Sequence, residues 1–268
     1  MAETKEPGTE TGDVEDLKAA NARELHRAVR EEGQEELDRP ASALFWSGLA
    51  GGLAITASLI AEAAIAAHTA PSAARPLLIA LGYPIGFLMV ILGRMQLFTE
   101  STVTAMLPLV TSPSWHAVRC TLRLWGVVLG ANLIGTAIAA LAFATLDLGD
   151  PAMRAAMIEV SMKITEHDAL GTFVNAVPAG FLIAIVAWTL PNAREQAFLV
   201  VFGIVYIVAI GGFSHSVVGS IETFLLLFTG KIGVAQGTAF LVPAVLGNLF
   251  GGAGLFAVLA HAQVRADN

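Results

Sequence analysis

Residues 197–229 open with Ala197-Phe198-Leu199-Val200-Val201-Phe202-Gly203-Ile204-Val205-Tyr206-Ile207-Val208-Ala209-Ile210, a run without a single charge. The run breaks at Gly211-Gly212-Phe213-Ser214-His215-Ser216 and resumes as Val217-Val218-Gly219-Ser220-Ile221-Glu222-Thr223, then Phe224 to Phe228. A membrane span needs about 20 apolar residues to cross roughly 30 Å of hydrocarbon. This stretch is longer than that, and its middle is glycine, hydroxyl and histidine. Lipid offers no hydrogen bonds, so unwound backbone at that depth is tolerated only inside protein or beside a cavity. The stretch therefore predicts a transmembrane element broken at its centre.

A second overlong stretch lies at 76–110 and carries its own interruption, Gly93-Arg94-Met95-Gln96. Further apolar stretches at 41–67, 121–144, 171–190 and 236–261 bring the expected spans to six, with the second and fifth broken. The halves resemble each other. Asn132-Leu133-Ile134-Gly135 in the third span matches Asn248-Leu249-Phe250-Gly251 in the sixth at an offset of 116. Phe98-Thr99 matches Phe213-Ser214 at 115, and Phe45 with Gly52 matches Phe173 with Gly180 at 128. Three spans is an odd number, so the second copy must be inverted relative to the first. Broken elements at matching places in inverted halves are the sequence mark of a membrane transport site.

Composition agrees with lipid as solvent. The chain is 55% hydrophobic and 14% charged, with mean hydropathy +0.69, too little polar surface for an ordinary soluble domain. The net charge of -7 is concentrated in residues 1–40, where 12 Asp/Glu face 6 Lys/Arg. The remainder is nearly neutral, so the charge gives no argument for a nucleic-acid partner. The single cysteine, Cys120, excludes an intrachain disulfide and a cysteine metal cluster. No phosphate loop or triad suggests an enzyme, and no cofactor is called for.

Three regions follow. Residues 1–40 hold a polar tail and a charged surface helix expected from Val14 to Leu37, whose Leu17, Leu25, Val29 and Leu37 are sparse for an apolar face. Residues 41–262 form the six-span domain, and 263–268 a short C-terminus. With the N-terminus inside, basic residues number ten on the inside against four outside, which places both termini in the cytoplasm under the positive-inside rule.

Charges within spans are costly and are functional candidates by default. Arg94 and Glu100 flank the first break and are expected to be clamped by pairing. Glu62, near the outer end of the first span, is expected to reach water. His215 sits at the second break, at a position matched with Glu100, and is the one side chain that exchanges protons near neutral pH. Glu222, two helical turns on, would share its face on a regular helix. Gly126, Gly130, Gly135, Gly247, Gly251, Gly252 and Gly254 are expected to let helices approach closely.

With these residues in place, Leu97-Phe98-Thr99, Gly212-Phe213-Ser214-His215-Ser216 and Asn175 resemble the formate/nitrite transporter family over residues 40–262. The resemblance implies an aquaporin-like six-span protomer, a homopentamer in the inner membrane, and one pore per subunit. It places Leu97, Phe98 and Thr99 at a cytoplasmic constriction and His215 at the pore centre. Asn175 would add a polar contact, while Tyr83 and Val208 fall at the outer constriction. The chain departs from the family pattern in four places. Around Leu97-Phe98-Thr99, Arg94-Met95-Gln96 replaces Gly-Gly-Glu and Glu100-Ser101 replaces Gly-Asn; Ser214 replaces an acid, and Gly219 replaces an asparagine. Where a vestibule lysine is usual stands Glu159, with Lys163 one turn later. The reading implied is a transporter or channel for a small weak-acid anion moving with protons, His215 governing its pH dependence. Glu100 and Glu222 leave open a neutral-solute facilitator, and the altered second-span loop a scaffold or sensor with a closed pore.

Overall fold

In the computed structural model, which describes residues 21–266, the chain is helical throughout its ordered elements. Helix α1 (Ala22–Asp38) is followed by α2 (Ala41–Ala54), α3 (Ala57–His68), α4 (Arg75–Ile79), α5 (Tyr83–Leu92) and α6 (Phe98–Thr111). Then come α7 (Trp115–Thr145), α8 (Pro151–Ser161), a 3-10 turn (Met162–Thr165), α9 (Ala169–Thr189), α10 (Ala197–Ile210) and α11 (Ser216–Phe228). The chain closes with α12 (Val234–Leu249), an eight-residue π segment (Phe250–Ala257) and α13 (Val258–Ala266). Among the described residues, five continuous elements are long and apolar enough to cross a bilayer, while α10 and α11 are each shorter. The protein is a multi-pass membrane protein.

Both expected breaks are present, α5 ending at Leu92 before α6 begins at Phe98, and α10 ending at Ile210 before α11 begins at Ser216. They share one backbone design. Gly93 and Gly211 close the preceding helices, and Arg94 (φ 54°) and Gly212 (φ 64°) then turn left-handed. The following amide in each case reaches back five residues, Met95 N–H to Val90 O at 3.0 Å and Phe213 N–H to Val208 O at 3.1 Å. This is the αL helix stop that glycine adopts without strain. Arginine occupies it in the first repeat at a cost.

Each break is held by one buried asparagine. Asn132 Oδ1 accepts from Phe98 N–H at 2.9 Å, and its Nδ2 donates to Gly48 O and Gln96 O at 2.7 and 2.9 Å. Asn248 Oδ1 accepts from Ser216 N–H at 2.8 Å, and its Nδ2 donates to Ala176 O and Ser214 O at 2.8 and 2.9 Å. Each amide thus satisfies two backbone groups that the unwinding orphans, which burial would otherwise penalise by about 1–3 kcal/mol each, and ties them to a carbonyl of a neighbouring continuous helix. The offsets of 116 and 128 are borne out, since Gly52 and Gly180 abut Asn132 O and Asn248 O with no room for a Cβ. The break offset of 115 is corrected. Gln96 corresponds to Ser214 and Phe98 to Ser216, a shift of 118, so the mate of His215 is Leu97 rather than Glu100.

The N-terminal helix is described from Asn21, which caps α1 with a reciprocal Asn21–Glu24 box; the expected start at Val14 and the preceding tail lie outside the described residues. Its inward face is stronger than the sparse leucines suggested, because His26 and Gly33 join Val29 and Leu37 on one buried stripe. Gly33 is needed there, as an added Cβ would overlap Thr104 O of α6. At the chain's other end the last helix runs on through residue 262 to Ala266. The expected close approach fails for Gly126 and Gly130, which have nothing within 4 Å, whereas Gly135, Gly247 and Gly251 press on neighbouring backbone.

Candidate functional site

The two broken elements meet where α6 and α11 begin. His215 is the N-cap of α11, and its Nδ1 accepts from Val218 N–H at 3.2 Å. Its Nε2 lies 2.8 Å from Thr99 Oγ1 in the first turn of α6. A neutral imidazole has one donor and one acceptor. With Nδ1 accepting, the proton sits on Nε2 and is donated to Thr99, which leaves the threonine hydroxyl with its own proton to offer. An imidazolium would need a proton on Nδ1, pointed at the Val218 amide, and the cap would be lost. In this arrangement the ring offers Nε2–H to Thr99 while its Nδ1 is engaged by the Val218 amide.

Buried apolar side chains surround the pair. His215 and Thr99 are buried, as are Leu97 and Phe98, and Phe87 meets the His215 ring edge-on with centroids 4.8 Å apart. From there a line of contacts runs outward. Phe87 packs on Tyr83 at 5.6 Å, and Lys163 Nζ lies 5.1 Å from the Tyr83 centroid. Val208 is buried in the same apolar cluster. Lys163 and Glu62 line an open cavity of about 310 Å³ together with Glu159 and Glu166.

Lys163 is paired with two acids, Glu62 Oε1 at 3.3 Å and Glu222 Oε1 at 3.0 Å. Burial alone would lower its pKa, but the Glu222 and Glu62 carboxylates outweigh that and hold the ammonium above the ordinary lysine value. Glu62 is 3% exposed, so it is a buried ion-pair member and does not reach water as expected. Glu222 is committed to Lys163, not to His215, because the histidine precedes the first helical turn and the seven-residue helical relationship does not apply. Glu159 points elsewhere, to Arg75 at 2.6 Å, and this bond holds its carboxyl below the usual range.

The other candidates are dispersed. Asn175 donates from Nδ2 to Gly171 O within its own helix, while its backbone carbonyl accepts from Ser214 N–H at 3.2 Å and so supports the second break. The Arg94 side chain is 81% exposed and pairs with Glu32 of α1 at 3.4 Å. It found an acidic partner as expected, but at the surface and not as an interior charge. Glu100 is half-buried in the first turn of α6, with Glu36, Glu32 and Arg94 as charged neighbours. Sequence reasoning missed Glu36. It accepts from Gln96 Nε2 at 2.7 Å and Thr104 Oγ1 at 2.5 Å, binding α1 across the first break.

The comparisons agree with the fold. A sequence model described as "Formate/nitrite transporter" matches residues 23–262. The chain belongs to the formate/nitrite transporter family. Among curated relatives it is 38% identical to the inner membrane protein YfdC of Escherichia coli (strain K12) over 267 residues, 99% of this chain and 86% of that protein. It is 24% identical to the uncharacterized transporter YrhG of Bacillus subtilis (strain 168), covering 86% of this chain and 88% of that one. Two solved structures share the fold of this formate/nitrite transporter family member. A pentameric formate channel with formate bound superposes with TM-score 0.70 at 20% identity, over 84% of this chain and 98% of that one. An FNT family ion channel gives 0.72 at 18%, over 94% and 99%. The family and both structural neighbours are transporters or channels, and this chain is not an enzyme.

Proposed function

We propose that this protein passes a small weak-acid anion, of the class of formate, nitrite and hydrosulfide, through a pore in each protomer of a homopentamer in the inner membrane. Six crossings within residues 41–262, with both termini cytoplasmic, complete the reading. The observation that carries it is the Thr99–His215 pair, a polar point enclosed by apolar side chains where two half-helices start. Family membership, the pentameric formate channel sharing the fold, and an inner-membrane relative support it.

The chemistry follows from the pair's setting. The N-termini of α6 and α11 bring positive dipole ends together, and these favour a negative charge. The Thr99 hydroxyl, accepting a hydrogen bond from Nε2–H, donates a hydrogen bond of its own to the solute. Leu97 and Phe98 on the cytoplasmic side and Tyr83 with Val208 on the outer side form apolar constrictions, across which a bare anion is heavily penalised and its neutral acid far less. The solute thus crosses these collars as its neutral acid and is met at the centre by a hydrogen bond from Thr99. Lys163 draws it toward the outer cavity, and Asn175 holds the loop that carries His215.

A second reading, facilitation of a neutral solute, draws on the two carboxylates beside Lys163. Uptake of formate, nitrite, hydrosulfide and glycerol into proteoliposomes over a pH series separates the two. Uptake of the weak acids that grows with acidity, with glycerol excluded, is expected. Glycerol passage without weak-acid uptake would replace the anion reading with the neutral one.

A further inference from the structure

Three charged side chains from separate elements converge where the open cavity meets the bundle. Glu62 comes from α3, Lys163 from the turn after α8, and Glu222 from α11. Nζ of Lys163 lies 3.3 and 3.5 Å from the two oxygens of Glu62 and 3.0 Å from Glu222 Oε1. The carboxylate side chains are 4% and 3% exposed, whereas the lysine is 40% exposed. Two enclosed acids share one base. With all three ionised the cluster carries an excess negative charge, and an uncompensated buried charge costs several kcal/mol.

The neighbours do not supply the missing positive charge. Arg75 is held by both oxygens of Glu159, at 2.6 and 3.3 Å, and by the carbonyls of Thr69 and Ala66. Glu159 and Glu166, which line the cavity, add negative charge. Tyr83 presents its ring face to Lys163. Glu222 Oε1 is buried, with Lys163 Nζ beside it at 3.0 Å. Lys163, which faces both carboxylates and is itself 40% exposed, opens the cluster to the cavity.

We propose that Glu62 and Glu222, pinned by Lys163, form a site that binds one exchangeable proton taken from the cavity. Binding forms an O–H bond on one carboxylate oxygen and leaves the other carboxylate paired with the ammonium. Resting on the anion-transport reading above, the same proton is what the entering solute acquires. The carboxyl O–H bond breaks with its electron pair staying on the glutamate, and the proton joins the anionic oxygen or sulfur of the solute. The proton source is thereby separated from His215, whose Nδ1 is occupied by its cap.

Infrared difference spectroscopy of the full chain in lipid, titrated from acidic to alkaline pH, tests the site without any solute. The expected result is a protonated-carboxyl band at neutral pH that is lost on alkalinisation and is removed entirely by Glu222→Gln and, equally, by Glu62→Gln. Either substitution leaves one acid on one base, already neutral, so each variant keeps its ion pair and its fold while needing no proton. A band that survives in both variants, or that falls by half in each as two independent acids would give, overturns the proposal. Formate uptake supplies the second readout, with Glu222→Gln expected to lower it at neutral pH by an order of magnitude or more and to flatten its pH dependence. An unchanged pH profile beside a lost band would overturn the hand-off. Absence of weak-acid uptake by the wild-type protein would instead fail the transport reading, while the band still decides the proton site.

Discussion

Thr99 Oγ1 and His215 Nε2, 2.8 Å apart, are the direct polar contact between the starts of the two broken elements. The contact joins the second residue of one half-helix, α6, to the N-cap of the other, α11, so it links the repeats at their shared centre. Its polarity is fixed from one side only, by the Val218 amide donating to Nδ1.

Thr99→Val keeps the shape of the side chain and removes the acceptor of the Nε2 proton. A buried donor left unpaired costs about 1–3 kcal/mol, and the hydroxyl offered to the solute is gone. Formate uptake is expected to drop by about tenfold or more, with Thr99→Ser restoring most of it. Equal uptake in wild type and Thr99→Val would show that the hydroxyl makes no contact with the solute.

Asn132→Ala and Asn248→Ala each strip a break of three hydrogen bonds. A loss of about 2 kcal/mol or more is expected for either, since two backbone groups of the break lose their partner together. Thermal unfolding in detergent measures it. Similar losses at the two positions would follow from the pseudo-symmetry, and a neutral effect at either would mean that water replaces the amide.

Arg94→Gly tests the left-handed stop. Relieving a non-glycine residue of that conformation is worth roughly 1–2 kcal/mol, and the exposed pair with Glu32 is worth about 0–1 kcal/mol. A net stabilisation is therefore expected in the same unfolding assay. Destabilisation would show that Arg94 anchors α1 more firmly than an exposed pair should.

Glu36 gives docking of α1 a pH dependence. Burial pushes its carboxyl above the ordinary range, against the hydrogen bonds from Thr104 and Gln96. A raised carboxyl pKa adds stability that is fully present below the unfolded value and is lost as pH rises through the folded value. Hydrogen exchange in Ala22–Asp38, corrected for intrinsic rates, should thus show better protection in acid than in mild alkali. Glu36→Gln should remove the difference, and greater protection in alkali would contradict the assignment.

The breaks were legible because glycine, serine and histidine cannot continue an apolar helix through lipid without a reason, and Asn132 and Asn248 showed the repeat because the same backbone task demands the same amide. The register of the breaks was not. Matching Phe98-Thr99 with Phe213-Ser214 followed side-chain likeness, whereas the fold equates left-handed stops, and arginine at one of them hid the equivalence. Glu62, Lys163 and Glu222 are far apart in the sequence, and no local pattern announces that three elements bring them together. Arg94 was misplaced for a simpler reason, since hydropathy assigns depth to a stretch and cannot see that a break lets a side chain leave it.

The central claim is that the solute passes the Thr99–His215 pair, and His215→Asn tests it most directly. Asparagine retains a side-chain acceptor suited to the N-cap of α11, so the break persists while the Nε2 donor disappears. The measurement is formate uptake by wild-type and variant protein in proteoliposomes across a pH series. The account predicts uptake lowered by about tenfold or more at every pH with the shape of the pH profile retained, because the proton is supplied elsewhere. Wild-type uptake in a correctly assembled variant would contradict it.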